Sequence, residues 1–148
     1  YANAYTPAVD VLSDPLADRM SETGFGINKA TLNDLQTGIN SYNSGSYTIA
    51  REQLLQFKAV AAEDGLAPYA TFYAALSALE SGDFNTAQLE LLTLENTENF
   101  ELQNDAIWYA GLAALKQGKT EVAMESLRKL RDDTEFGERV RKVLNALE

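Results

Sequence analysis

The stretch Gly45-Ser46-Tyr47-Thr48-Ile49-Ala50 returns as Gly82-Asp83-Phe84-Asn85-Thr86-Ala87, and more faintly as Gly118-Lys119-Thr120-Glu121-Val122-Ala123. The three glycines stand 37 and then 36 residues apart. A fixed period in this range is the mark of stacked supersecondary units, each too small to bury its own apolar face. The segments around the motif have helical rather than strand periodicity. Leu32, Leu35, Ile39 and Tyr42 recur at helical spacing and stop near Asn43-Ser44-Gly45, the place where a glycine can take the left-handed conformation that ends a helix. A second helix follows Ser46 and carries Ala50, Leu54, Leu55, Phe57 and Val60, until Gly65 and Pro68 interrupt it.

The pair then repeats. Tyr69, Phe72, Tyr73, Leu76 and Leu79 form a helix closed by Ser81-Gly82, and Asp83 caps a partner running through Ala87, Leu91 and Leu94. In the third unit Ile107, Trp108, Leu112 and Leu115 lead to Gln117-Gly118, and Ala123, Leu127 and Leu130 follow. A last helix places Phe136, Val140, Val143, Leu144 and Leu147 on one face and Glu138, Arg139, Arg141 and Lys142 on the other, the half-polar element with which a helical stack ends. The expected fold is all-α: three helical hairpins over about residues 31–65, 66–100 and 101–133, and a capping helix over about 135–147. Residues 1–30, broken by Pro7, Pro15, Gly24 and Gly26, read as an extended arm.

Composition limits the chemistry. The 148 residues include no cysteine and no histidine, which removes thiolate and imidazole metal ligands, cysteine nucleophiles and histidine-based triads. No metal, cofactor or catalytic residue is assigned. The net charge of −10 argues against phosphate backbones as partners, because such binding needs clustered Lys and Arg. Thirteen of the acids lie in residues 1–100 against four bases. Gln117-Gly118-Lys119-Thr120 ends like a phosphate-binding loop, yet Ala113 stands where that loop needs glycine and a helix precedes it instead of a strand. Ser126-Leu127-Arg128-Lys129 matches an acyl-serine motif whose companion motifs are absent. Asp14, Asp18 and Glu22 lack the glycine and alternating carboxylates of a calcium loop. The basic residues between Arg128 and Lys142 are interleaved with Asp132, Asp133, Glu135 and Glu138, which reads as a solvated face.

The small residues carry a resemblance. Gly38, Ala75 and Gly111 lie seven residues before the turn glycines, Ala50, Ala87 and Ala123 five after them, and Leu54, Leu91 and Leu127 a further turn on. This pattern resembles the tetratricopeptide repeat family, in which small residues let the two helices of each hairpin approach closely. The match spans about residues 31–147. It departs from the family pattern in its longer period, in Asp34, Thr71 and Ile107 where the family favours tryptophan, and in the missing terminal proline; another helical-hairpin repeat family stays open. The resemblance implies a right-handed solenoid whose first helices line a concave peptide-binding surface.

Carried over, that surface comprises Leu32, Leu35, Ile39, Tyr42 and Asn43, then Tyr69, Phe72, Leu76, Leu79 and Glu80, then Asp105, Trp108, Leu112, Leu115 and Lys116. These positions lack the Lys and Asn pattern of family members that clamp a terminal carboxylate. They imply an apolar groove for a protein or peptide segment, with Trp108, Phe72 and Tyr42 as anchors and Asn43, Glu80, Asp105 and Lys116 at the rim. Two other readings stand beside it: the stripe is ordinary core between repeats, or the apolar surface serves self-association as a homo-oligomeric scaffold. The segment Tyr5 to Leu16 is a further candidate to cover the groove. The acidic faces and aromatic-bearing arm are similar to exported or membrane-anchored bacterial members of the family. With Tyr1 in place of a methionine, this leads to the expectation of an upstream signal or anchor and an extracytoplasmic setting.

Overall fold

The computed structural model describes residues 29–60 and 65–148, with side chains from Leu32 onward. The expected arm, its proposed fold-back onto the groove and the Asp14, Asp18, Glu22 triplet lie outside these residues. Among the described residues every regular element is a helix: α1 (Lys29–Asn43), α2 (Tyr47–Val60), α3 (Ala67–Glu80), α4 (Phe84–Leu94), α5 (Gln103–Lys116), α6 (Thr120–Arg128) and α7 (Gly137–Leu147). The chain divides into two compact units, Tyr1–Gly82 and Asp83–Glu148. The division falls inside the second copy of the motif.

The motif glycines make three equivalent turns. Gly45, Gly82 and Gly118 have φ of 84°, 86° and 75°, a region that costs a side-chain-bearing residue about 1 kcal/mol or more. Each donates its N–H to the carbonyl three residues back, on Tyr42, Leu79 and Leu115 at 3.0–3.1 Å. In the first and third copies the next residue reaches back five, Ser46 to Ser41 at 2.9 Å and Lys119 to Ala114 at 3.0 Å. These paired bonds satisfy carbonyls that the helix end leaves open. Asp83 caps α4 as its position suggests, its carboxylate accepting from the Thr86 N–H at 3.3 Å.

In the first unit α2 packs between α1 and α3. Ala50, Leu54 and Phe57 are the residues it buries, while Leu55 and Val60 are 39% and 79% exposed. The inward stripe of α2 is narrower than its apolar content suggests. In the second unit α5 packs against α4 and α6, and α7 closes on α6. Glu95, at the end of α4, is nearly buried and meets the Lys129 ammonium at 2.6 Å, which ties α4 to the end of α6.

Two of the small positions sit where a partner helix comes close. A Cβ on Gly38 would stand 2.6 Å from Leu54 Cδ2, and one on Gly111 would stand 2.7 Å from Leu127 Cδ2. The same glycine-leucine contact is thus built in both units. Gly111→Val is expected to lower stability by about 1–3 kcal/mol through overpacking, read by chemical denaturation. Unchanged stability would mean that the α5–α6 approach is looser than these distances.

A feature of the helix starts has no counterpart in the sequence reading. Leu66, Leu102 and Phe136 occupy the cap positions of α3, α5 and α7, where Ser, Thr, Asp or Asn are usual. All three are buried, and none provides a side-chain cap. Burial of a large apolar group contributes about 1.5–3 kcal/mol, against about 1 kcal/mol for a cap, so packing decides these positions.

Candidate functional site

The fifteen positions that the resemblance assigns to the concave surface separate by burial. Leu32, Leu35, Ile39, Tyr42, Tyr69, Phe72, Leu76 and Leu79 of the first unit, and Asp105, Trp108 and Leu112 of the second, are buried, from 0% to 8% exposed. Trp108, Phe72 and Tyr42, the expected anchors, are among the buried residues. In α3 and α5 the other faces of the helix are buried as well. Every residue of α3 from Tyr69 to Leu79 is buried, and every residue of α5 from Asp105 to Ala114. Alanines at 70, 74, 75 and 78, and at 106, 110, 113 and 114, carry the apolar surface around the full circumference. A helix apolar on all sides is interior to its fold.

Four positions stay within reach of a partner. Asn43 and Lys116 are exposed, and Glu80 and Leu115 are half-buried. Asn43, Glu80 and Lys116 each stand two residues before a motif glycine, so the first helix of every hairpin ends in a polar side chain at an equivalent place.

That place explains the aromatic of the motif. In the second unit Lys116 Nζ lies 5.9 Å from the centroid of the Phe84 ring, a cation on a π-face. Beside it Gln117 Nε2 donates to Gln88 Oε1 at 2.6 Å and to the Phe84 carbonyl at 3.3 Å. In the first unit Glu80 and Tyr47 hold the same two positions. Burial, and then the Glu80 charge, push the Tyr47 hydroxyl pKa up, and burial pushes the Glu80 carboxyl up. Glu80 Oε1 is buried and accepts no hydrogen bond. Tyr42 backs the corner, with its ring centroid 5.7 Å from that of Tyr47 and 5.9 Å from that of Tyr73.

Asp105, assigned to the rim, is buried beneath more exposed charged side chains of the loop before α7. Burial first, then the Glu135 charge, and also Asp133, raise its carboxyl pKa to about 7, while its own backbone N–H and Arg139 act in the other direction. Asp133 organises the loop above it: Oδ2 accepts from the N–H groups of Glu135 and Phe136 at 2.9 and 2.8 Å, and Oδ1 from Asn104 Nδ2 at 2.9 Å. Phe136 stacks on Trp108 with centroids 5.9 Å apart. The Arg139 guanidinium carbon lies 5.7 Å from the Phe136 centroid and 5.9 Å from that of Trp108. The Trp108 Nε1–H is buried without an acceptor.

Among the described residues no group of three or more carboxylates is placed to hold a metal ion. None of the described helices is long and apolar enough to cross a membrane. No protein-family model matches the chain, and no curated protein matches it.

Proposed function

We propose that this chain is a non-catalytic protein-interaction module of tetratricopeptide-like hairpins, a short right-handed solenoid that contacts a protein or peptide segment. The observation that supports it most directly is the duplication of one hairpin device. Equivalent left-handed glycine turns end the first helices, and equivalent glycine-leucine contacts hold α1 to α2 and α5 to α6. Repeated hairpins characteristically serve as scaffolds for extended binding surfaces. With the first-helix faces interior, recognition falls to the helix ends that carry Asn43, Glu80, Leu115 and Lys116.

Among the described residues the exposed large apolar side chains, Ile49, Leu55, Val60, Leu89 and Val122, all lie on second helices. Ile49 and Val60 share a stripe of α2 with Gln53 and Gln56. Gln53, Gln56 and Val60 border a cavity of about 280 Å³ completed by Asp34, Thr37 and Phe57. This favours a second reading, self-association through α2.

Photo-crosslinking side chains at Asn43, Glu80 and Lys116 test the first reading, with control probes at Lys58 and Val60 on α2. A partner protein is expected to be captured from the helix-end positions and not from the controls. Capture of only a second copy of this chain, from Val60, would overturn the reading in favour of self-association.

A further inference from the structure

The helical period sets Ile49, Gln53, Gln56 and Val60 on one stripe of α2, at intervals of four, three and four residues. The order apolar, amide, amide, apolar reads the same in both directions, and none of the four side chains carries a charge. Ile49 and Val60 are 53% and 79% exposed. The chain has a net charge of −10, and residues 1–100 hold thirteen acids against four bases, so acidic faces of two copies repel each other. A stripe without charge is where a second copy meets no such barrier. Beside it lies the cavity of about 280 Å³ with buried Phe57 in its wall, an apolar recess open next to Val60. On the α1 side the Ser41 hydroxyl donates to Gln53 Oε1 at 2.6 Å, which leaves the Gln53 Nε2 hydrogens for another acceptor.

We infer that α2 packs antiparallel on α2 of a second copy of this chain, with Ile49 of each protomer against Val60 and the adjoining cavity of the other, and Gln53 of each beside Gln56 of the other. The two pairs share one midpoint, between Leu54 and Leu55, so a single two-fold axis makes both, as a self-complementary interface requires. Apolar groups then meet apolar groups, and the Gln53 amide donates to the Gln56 amide oxygen of the second copy. The inference rests on the reading of self-association through α2 and adds the register and the paired residues to it. It stands beside recognition at the helix ends, because Asn43, Glu80 and Lys116 belong to other helices.

Sedimentation of the full chain over a range of concentrations is expected to show a monomer–dimer equilibrium. Val60→Glu should weaken it at least tenfold, while Leu55→Glu, on an exposed side chain off the stripe, should stay within twofold of the parent. The chain has no cysteine, so Ile49→Cys and Val60→Cys report the register. Mixed and oxidised, the two variants should cross-link to each other, and neither should cross-link to itself. An antiparallel pair sets the two copies of either position about 16 Å apart at ~1.5 Å per residue, beyond the ~7 Å that a disulfide spans. Cross-links within each variant, or none, from a chain that still dimerises would overturn the register and leave self-association standing. Dimerisation unchanged by Val60→Glu, or weakened equally by Leu55→Glu, would take the interface off this stripe. A monomer at every concentration would overturn both the register and the self-association reading.

Discussion

Raising the pH from 4 to 8 is expected to destabilise the second unit through one residue, Asp105, against the usual direction for a carboxylate. Its pKa is raised from an unperturbed 3.8 to about 7. The folded chain therefore holds a proton across that window which the unfolded chain has released. Stability falls with pH wherever the native state binds more protons. The loss begins near pH 4, is complete above pH 7, and amounts to at most about 4 kcal/mol at ~1.4 kcal/mol per unit. Asp105→Asn should abolish this contribution, so the difference in stability between variant and parent grows in favour of the variant as pH rises. Chemical denaturation at a series of pH values reads it directly. A constant difference from pH 4 to 8 would show that Asp105 titrates normally and that the loop bearing Asp133 and Glu135 leaves it open to water.

The second large effect is steric. Trp108 is fully buried, stacks on Phe136 and lies under Arg139. Trp108→Ala should lower stability by about 3–5 kcal/mol, the range for emptying a large aromatic site in a core. Trp108→Phe should lose distinctly less, because it keeps the ring stack and removes an indole N–H that has no acceptor. An unmet buried donor costs about 1–3 kcal/mol. Equal losses for the two variants would place the indole N–H in contact with an acceptor and contradict the burial described.

Much of the fold was legible in the sequence, for physical reasons that differ by residue. Gly45, Gly82 and Gly118 marked the turns because few other residues adopt positive φ cheaply. Gly38 and Gly111 marked the close approach of the helices because any side chain there would meet Leu54 or Leu127. Asp83 marked a helix start by its capping geometry. These are local constraints, and local constraints leave signatures in sequence.

The site was less legible. Leu35, Phe72 and Trp108 were apolar residues at helical spacing, a pattern shared by a packed face and a binding groove. What separates the two is whether the remaining faces of the same helix are also covered. The alanines of α3 and α5 gave that sign, since they leave no polar face to turn outward. The cap positions of Leu66, Leu102 and Phe136 were hidden for a related reason: tertiary burial overrode the local preference for a polar cap. Asp105 was placed at the rim by carrying over the first-helix positions of the resemblance. Its neighbours Asp133 and Glu135 come from a loop some thirty residues away in sequence, a proximity that periodicity does not encode.

Recognition at the helix ends depends on the assigned faces of the first helices being buried, and one side chain reports this without labelling. Trp108 is the chain's single tryptophan, and it sits on the face that an open groove would expose. Its native fluorescence is expected to be blue-shifted and insensitive to iodide, and to turn red-shifted and quenchable only on unfolding. Native emission at the wavelength of a solvated indole, with iodide quenching equal to that of the unfolded chain, would return Trp108 to an open groove and contradict recognition at the helix ends.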